Sequence, residues 1–244
     1  MSTMITLATV RRVLGQLRHD PRTIVLALAV PSLLMVLLRY MFDAEREFAA
    51  IAPALLGLFP FMVMFLITSI GTLRERTTGT LERLMTMPIG RLDLLLGYAL
   101  AFSVLAVVQV AVVATLSLTW LGLDIAGSLW MLIVIAVLDA LLGTALGLFA
   151  SAFARTEFQA VQLMPLVAFP QILLCGLFVP RDEMAPVLSA LSDVMPLSYA
   201  VDGMQRVTAS AEVTGALVRD VAVLVGCVVL ALLLGAATLR RRSP

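Results

Sequence analysis

Apolar positions along this chain fall into six long runs: 24–42, 53–73, 94–121, 129–153, 160–179 and 221–239. Short polar segments separate them. Each run matches the ~20 residues that a helix needs to cross a bilayer, so the pattern predicts six membrane-spanning helices. Residues 3–20 differ. Leu7, Val10, Leu14 and Leu17 recur at helical spacing, while Arg11, Arg12, Gln16 and Arg18 fall on other faces. That spacing predicts an amphipathic helix lying in the membrane surface; a solvated helix packed on a soluble partner fits the same pattern. The basic region is long and no small-residue cleavage site follows, which argues against a signal peptide. Asp20-Pro21 restarts the chain, Asp as an N-cap and Pro in the first helical position. Pro31, Pro60, Pro165 and Pro170 fall inside the runs, where proline bends a helix.

Composition agrees. The 244 residues are 61% hydrophobic and 14% charged, against about 45–50% and 25% for soluble domains. Disorder, a secreted disulfide scaffold and a nucleic-acid-binding module are excluded. The fold class is all-α integral membrane, one domain over 1–244. All 17 cationic side chains are Arg. Without Lys the chain carries neither a standard nucleotide-binding P-loop nor Schiff-base chemistry. His19 is the single histidine, so no metal site and no catalytic residue is assigned. Cys175 and Cys227 sit in apolar runs and read as small packing residues. With both ends inside, 12 arginines fall on the cytoplasmic side and 5 (Arg39, Arg46, Arg181, Arg206 and Arg219) outside. The positive-inside rule therefore predicts cytoplasmic termini. Trp120 and Trp130 flank one outer loop, as an interfacial aromatic belt does.

Two polar segments are patterned beyond simple turns. In 74–93, Gly79 breaks the helix leaving the second span. Leu81, Leu84 and Met85 then share one face of a short helix, and Pro88 and Gly90 end it. Asp93 starts the third span, at the positive end of that helix. Such a helix suits docking of a cytosolic partner; a plain solvated connector is the alternative. In 180–206, two short amphipathic stretches are too apolar to float and too short to span. They predict re-entrant or interfacial helices at the outer ends of the spans, forming a lid or merely sealing the bundle. Asp139 is the one acid deep inside a span, with Gln109, Thr115 and Thr144 as candidate partners. Intramembrane acids are costly and often functional, so it either binds a cation or serves structure. Gly143, Gly147 and Ser151 recur every four residues, which suits close helix packing.

RERTTGTLERLMTMPIGRLDLLLGY together with LFVPRDEMAPVLSALSDVMPLSYAVDGMQ resembles the membrane permease subunit of type-2 ATP-binding-cassette exporters, most nearly the daunorubicin-resistance-type multidrug permeases. The resemblance covers nearly the whole chain. It implies a permease of the plasma membrane working as a dimer with itself or a second permease. It also implies separate ATPase subunits that bind ATP and Mg and dock on the helix after span two and on the N-terminal helix. Carried over, Thr80, Leu81, Glu82, Arg83 and Leu84 form the docking helix, with Arg74, Glu75 and Arg76 at its base. A path for hydrophobic small molecules would run between two permeases, lined by Phe59, Phe61, Met62, Met64 and Phe65 of span two and by Phe169, Leu173 and Phe178 near span five. Phe and Met also pack helices or face lipid. Three rivals remain at this point: a lipid-linked glycan exporter permease, a proton-driven transporter using Asp139, and an intramembrane enzyme, for which few candidate residues exist.

Overall fold

A computed structural model describes residues 3–42, 45–80, 83 and 90–238. Among them there are helices and no strands. Helix α1 covers Thr3–Arg18 and α2 Pro21–Met41. Helix α3 covers Glu45–Thr77, α4 Arg91–Thr119, α5 Leu129–Ala150 and α6 Glu157–Leu174. A 3₁₀ turn, Arg181–Glu183, leads to α7 (Pro186–Ser192), α8 (Pro196–Ala209) and α9 (Gly215–Thr238). Six of these, α2 to α6 and α9, are long and apolar enough to cross a membrane.

Local chemistry sets the boundaries. Asp20 caps α2 by accepting the Thr23 amide at 3.2 Å and its hydroxyl at 2.7 Å, with Pro21 in the first turn. Thr156 caps α6 through the Gln159 amide. Helix α3 ends at Thr77, and Gly79 follows at φ +73°, the left-handed conformation that glycine reaches without steric cost. Several helix ends depart from the hydrophobic pattern. Helix α3 begins at Glu45 rather than Pro53 and runs four residues past Leu73. At 1.5 Å per residue its 33 residues reach about 50 Å, well beyond the ~30 Å hydrocarbon layer. Helix α6 stops at Leu174, short of Val179, because Gly176 turns the chain at φ +87°. Helix α5 stops at Ala150, short of Phe153.

Helices α3 and α5 form the centre of the bundle. The predicted small-residue stripe faces α3: a Cβ on Gly143 would strike the Phe61 carbonyl, and one on Gly147 the Phe65 carbonyl and the Thr68 hydroxyl. Thr68 also reaches across to the Thr144 carbonyl at 3.3 Å. Helices α2, α6 and α9 are peripheral and leave most of their apolar surface outward. Helix α1 packs on α4, where a Cβ on Gly97 would sit 3.2 Å from the Thr6 carbonyl. Helix α8 lies at the opposite end of the bundle. It buries Leu197, Ala200, Val201, Met204 and Val207, so it packs against the ends of the spans. The α4–α5 loop is stitched to its last turn by Ala126 N–H to Thr208 and Gly127 N–H to Val207. Helix α7 is more open, with Val187, Leu188 and Leu191 exposed. Cys175 is buried, Cys227 half-buried, and neither forms a disulfide.

Candidate functional site at the foot of the second span

Arg74, Glu75 and Arg76 occupy the last turn of α3, just before the loop singled out for docking. Successive helical residues point about 100° apart, so the three side chains leave in different directions. Glu75 is gripped by α1: Arg12 Nη1 donates to its Oε1 at 3.1 Å and Nη2 to its Oε2 at 3.0 Å. The Tyr98 hydroxyl of α4 donates to the same carboxylate and accepts from Arg12 Nη2 at 2.6 Å. The Arg12 guanidinium also lies 5.5 Å from the Tyr98 ring centre. This trio is mostly shielded from solvent, Glu75 showing 12% of its side chain and Arg12 29%, so its charge-assisted bonds are strong ones.

The two neighbours hold other helices. Arg74 pairs with Glu157 at the start of α6, Nε to Oε1 at 2.7 Å and Nη2 to Oε2 at 3.2 Å. That pair is over half exposed and correspondingly weak. Arg76 donates to the Ser151 carbonyl at 2.8 Å, a cation placed against the negative end of α5. One turn of α3 thus binds α1, α4, α5 and α6. Past it, Thr78 and Thr80 share a hydroxyl contact of 3.1 Å, and the Arg83 amide donates to the Gly79 carbonyl. Of the predicted docking residues, Thr80 and Arg83 are described, Arg83 with its side chain exposed. Leu81, Glu82 and Leu84 lie outside the described residues. Asp93 is buried in the first turn of α4, as anticipated.

The residues predicted to line a path divide. Phe61, Met64 and Phe65 are fully buried within this chain, in the packing of α3. Phe59 and Met62 are partly buried against the same core. Phe169 and Leu173 on α6, and Phe178 just after it, are exposed. Asp139 is fully buried beside Gly57 and Met204: a Cβ on Gly57 would lie 2.8 Å from its Oδ2. None of its predicted partners bonds to it. The Thr144 hydroxyl serves the Ala140 carbonyl of its own helix, Thr115 is exposed, and the buried Gln109 amide meets no partner either. A threonine hydroxyl in a helix reaches the i−4 carbonyl more readily than a neighbouring side chain.

A second charged cluster, not anticipated as such, ties the far end together. Arg181 donates to Asp202 at 2.5 Å and pairs with Asp193, and lies 5.5 Å from the Tyr199 ring centre. Burial pushes the Asp202 carboxyl above its ordinary value, although Arg181 opposes the shift. Asp220, fully buried at the start of α9, receives Arg206 and Arg219, each at 3.2 Å. Three of the five arginines assigned to the outer side by sequence sit in this cluster, and a fourth, Arg39, donates to the Leu121 carbonyl at 3.1 Å.

The chain matches the ABC-2 type transporter family over residues 4–208. It is 29% identical over 181 residues to the probable multidrug ABC transporter permease YbhS of Escherichia coli (strain K12), covering 74% of this chain and 48% of that protein. It is 26% identical over 162 residues to the linearmycin resistance permease protein LnrN of Bacillus subtilis (strain 168), covering 66% and 41%. It is also 26% identical over 157 residues to ABC transporter G family member 20 of Dictyostelium discoideum, covering 64% and 22%. The chain spans about half or less of the length of these curated relatives. Six spanning helices and a family match over most of its length lead to one conclusion: the chain belongs to the ABC-2 type transporter family and is a multi-pass membrane protein.

Proposed function

We propose that the chain is the permease of an ATP-driven exporter, with both termini cytoplasmic in the plasma membrane. It would work as a dimer with a second permease chain and with separate subunits that bind ATP and Mg. The observation that carries this reading is the foot of α3. A helix with Arg74, Glu75 and Arg76 bound to four other helices is built to pass a push from the adjoining loop into the bundle. The push would come from an ATPase subunit docked on Thr80 to Leu84 and on α1. Family membership and the relatives named as multidrug and resistance permeases support the same reading and make hydrophobic small molecules the proposed cargo. The exposed Phe169, Leu173 and Phe178, with Phe59 and Met62, are then the residues best placed to line a path shared with a second permease.

The test is a double substitution, Glu82→Arg with Leu84→Asp, in cells and in the purified complex. It is expected to weaken ATPase association and to abolish drug-stimulated ATP hydrolysis and export while the permease still inserts. Unchanged assembly and export would remove the docking role. The buried, unpartnered Asp139 favours a second reading, proton-driven transport. That reading requires export to survive ATP depletion, to collapse with an uncoupler and to be lost in Asp139→Asn.

A further inference from the structure

A cavity of about 640 Å³ lies beside the α3 foot, walled by α1, α2, α3 and α4. Its lining is graded along the spans. Gln16, Asp20 and Thr23 stand at one end with Arg74 and Glu75; Leu26 and Val30 of α2 line the other with Val63 and Ile67 of α3. The polar end coincides with the start of the first span at Pro21. From Asp20 to Val30 the helix rises about 15 Å, half of the ~30 Å hydrocarbon layer. The slot is thus as deep as one leaflet, polar where headgroups lie and apolar where acyl chains lie. Leu26 and Val30 remain exposed on its α2 wall, so the slot is open rather than sealed.

The charges at the polar end favour an anion. Arg12 is matched by Glu75 and Arg74 by Glu157. Asp20 is engaged by Thr23 as the α2 cap, and in the chain it stands between Arg18 and Arg22. Both of those arginines are exposed, and among the described residues no carboxylate comes within ion-pair distance of either. Four arginines against three acids, each acid already bonded, leave one positive charge on exposed guanidinium groups. Such groups bind phosphate through paired N–H donors, and basic pockets at the ends of spans hold anionic headgroups. We infer that the slot holds one anionic phospholipid of the adjoining leaflet, its phosphate on the α1–α2 corner at Arg18 and Arg22, and one acyl chain between α2 and α3 toward Phe102. The lipid fills the gap beside the Arg12–Glu75 clasp. The site lies within one chain and so is separate from any path between two permeases. It goes beyond the exporter reading and does not depend on it.

The probe is phosphatidylglycerol, the minor lipid in phosphatidylcholine nanodiscs that hold the full chain with no ATPase subunit present. Native mass spectrometry of the released chain is expected to show retained lipid enriched in phosphatidylglycerol over the disc composition. In the unsubstituted chain, phosphatidylglycerol with a photoreactive acyl chain should crosslink to the α2 and α3 residues of the slot, read by peptide mass spectrometry. Arg18→Gln with Arg22→Gln should cut the enrichment about fivefold. Val30→Trp, filling the apolar end, should lose the retained lipid, whereas Leu33→Trp, on the same helix at an exposed position outside the slot, should keep it. Retention in the proportions of the disc overturns the proposal, as do crosslinks that avoid α2 and α3. So do an enrichment unchanged in the double variant and equal retention by the two tryptophan variants. Since lipid retention alone is read, an exporter with no such site and a lipid-holding chain that exports nothing give different results.

Discussion

Arg12, Glu75 and Tyr98 show why charges of similar appearance in a sequence differ in consequence. Arg12 and Arg74 both sit near the membrane surface and both form two bonds to a glutamate. Solvent separates them energetically, because the Arg74 pair is over half exposed and the Glu75 carboxylate is almost covered. Arg12→Ala is expected to cost about 2 kcal/mol, since it strands a covered carboxylate. Arg74→Ala should cost about 0.5 kcal/mol or less. Unfolding in mixed detergent micelles checks the ranking, and a double-mutant cycle with Glu75→Gln should return a coupling of at least ~1 kcal/mol. Equal losses for the two arginines would contradict the ranking. None of this was legible beforehand. The partners of Arg12 lie 63 and 86 positions away, and Tyr98 sits in the apolar run LLLGYAL. A pattern read along the chain reports faces and ends, not which distant side chain closes a bond.

At the scale of elements, the α3–α5 crossing decides the bundle. Gly143 and Gly147 admit the α3 backbone so closely that any side chain there meets carbonyl groups. Backbone cannot swing aside as a side-chain tip can. Gly143→Leu is therefore expected to prevent stable folding, read as loss of monodisperse protein after extraction. Gly226→Ala, on the peripheral α9 with open space around it, should be neutral or slightly stabilising. A well-behaved Gly143→Leu protein would show that α3 and α5 do not cross this way. The four-residue stripe announced a close crossing, while its partner stayed hidden because every span is apolar and composition does not tell α3 from α4. The end of α6 was missed for a related reason. Hydrophobicity continues to Val179, and the positive φ at Gly176 leaves no mark on it.

For the whole molecule, the six spans followed from the length of their apolar runs and the amphipathic α1 from its helical spacing. The sidedness of the bundle rests on the arginine count. A reporter fused after Arg242 is expected to read as cytoplasmic; an external reading would invert the map. The structure adds the linkage between the two ends. Helix α3 runs unbroken from Glu45 to Thr77, through Pro53 and Pro60. Its far half lies beside Asp139 and Met204, and its near end is clasped on several sides at once. Three adjacent side chains with different partners cannot slip gradually, because turning the helix to favour one contact tears the others. Motion there should come as a single click, so a bundle trapped halfway ought to be rare, and the two settled arrangements ought to trade places without a ladder of intermediates.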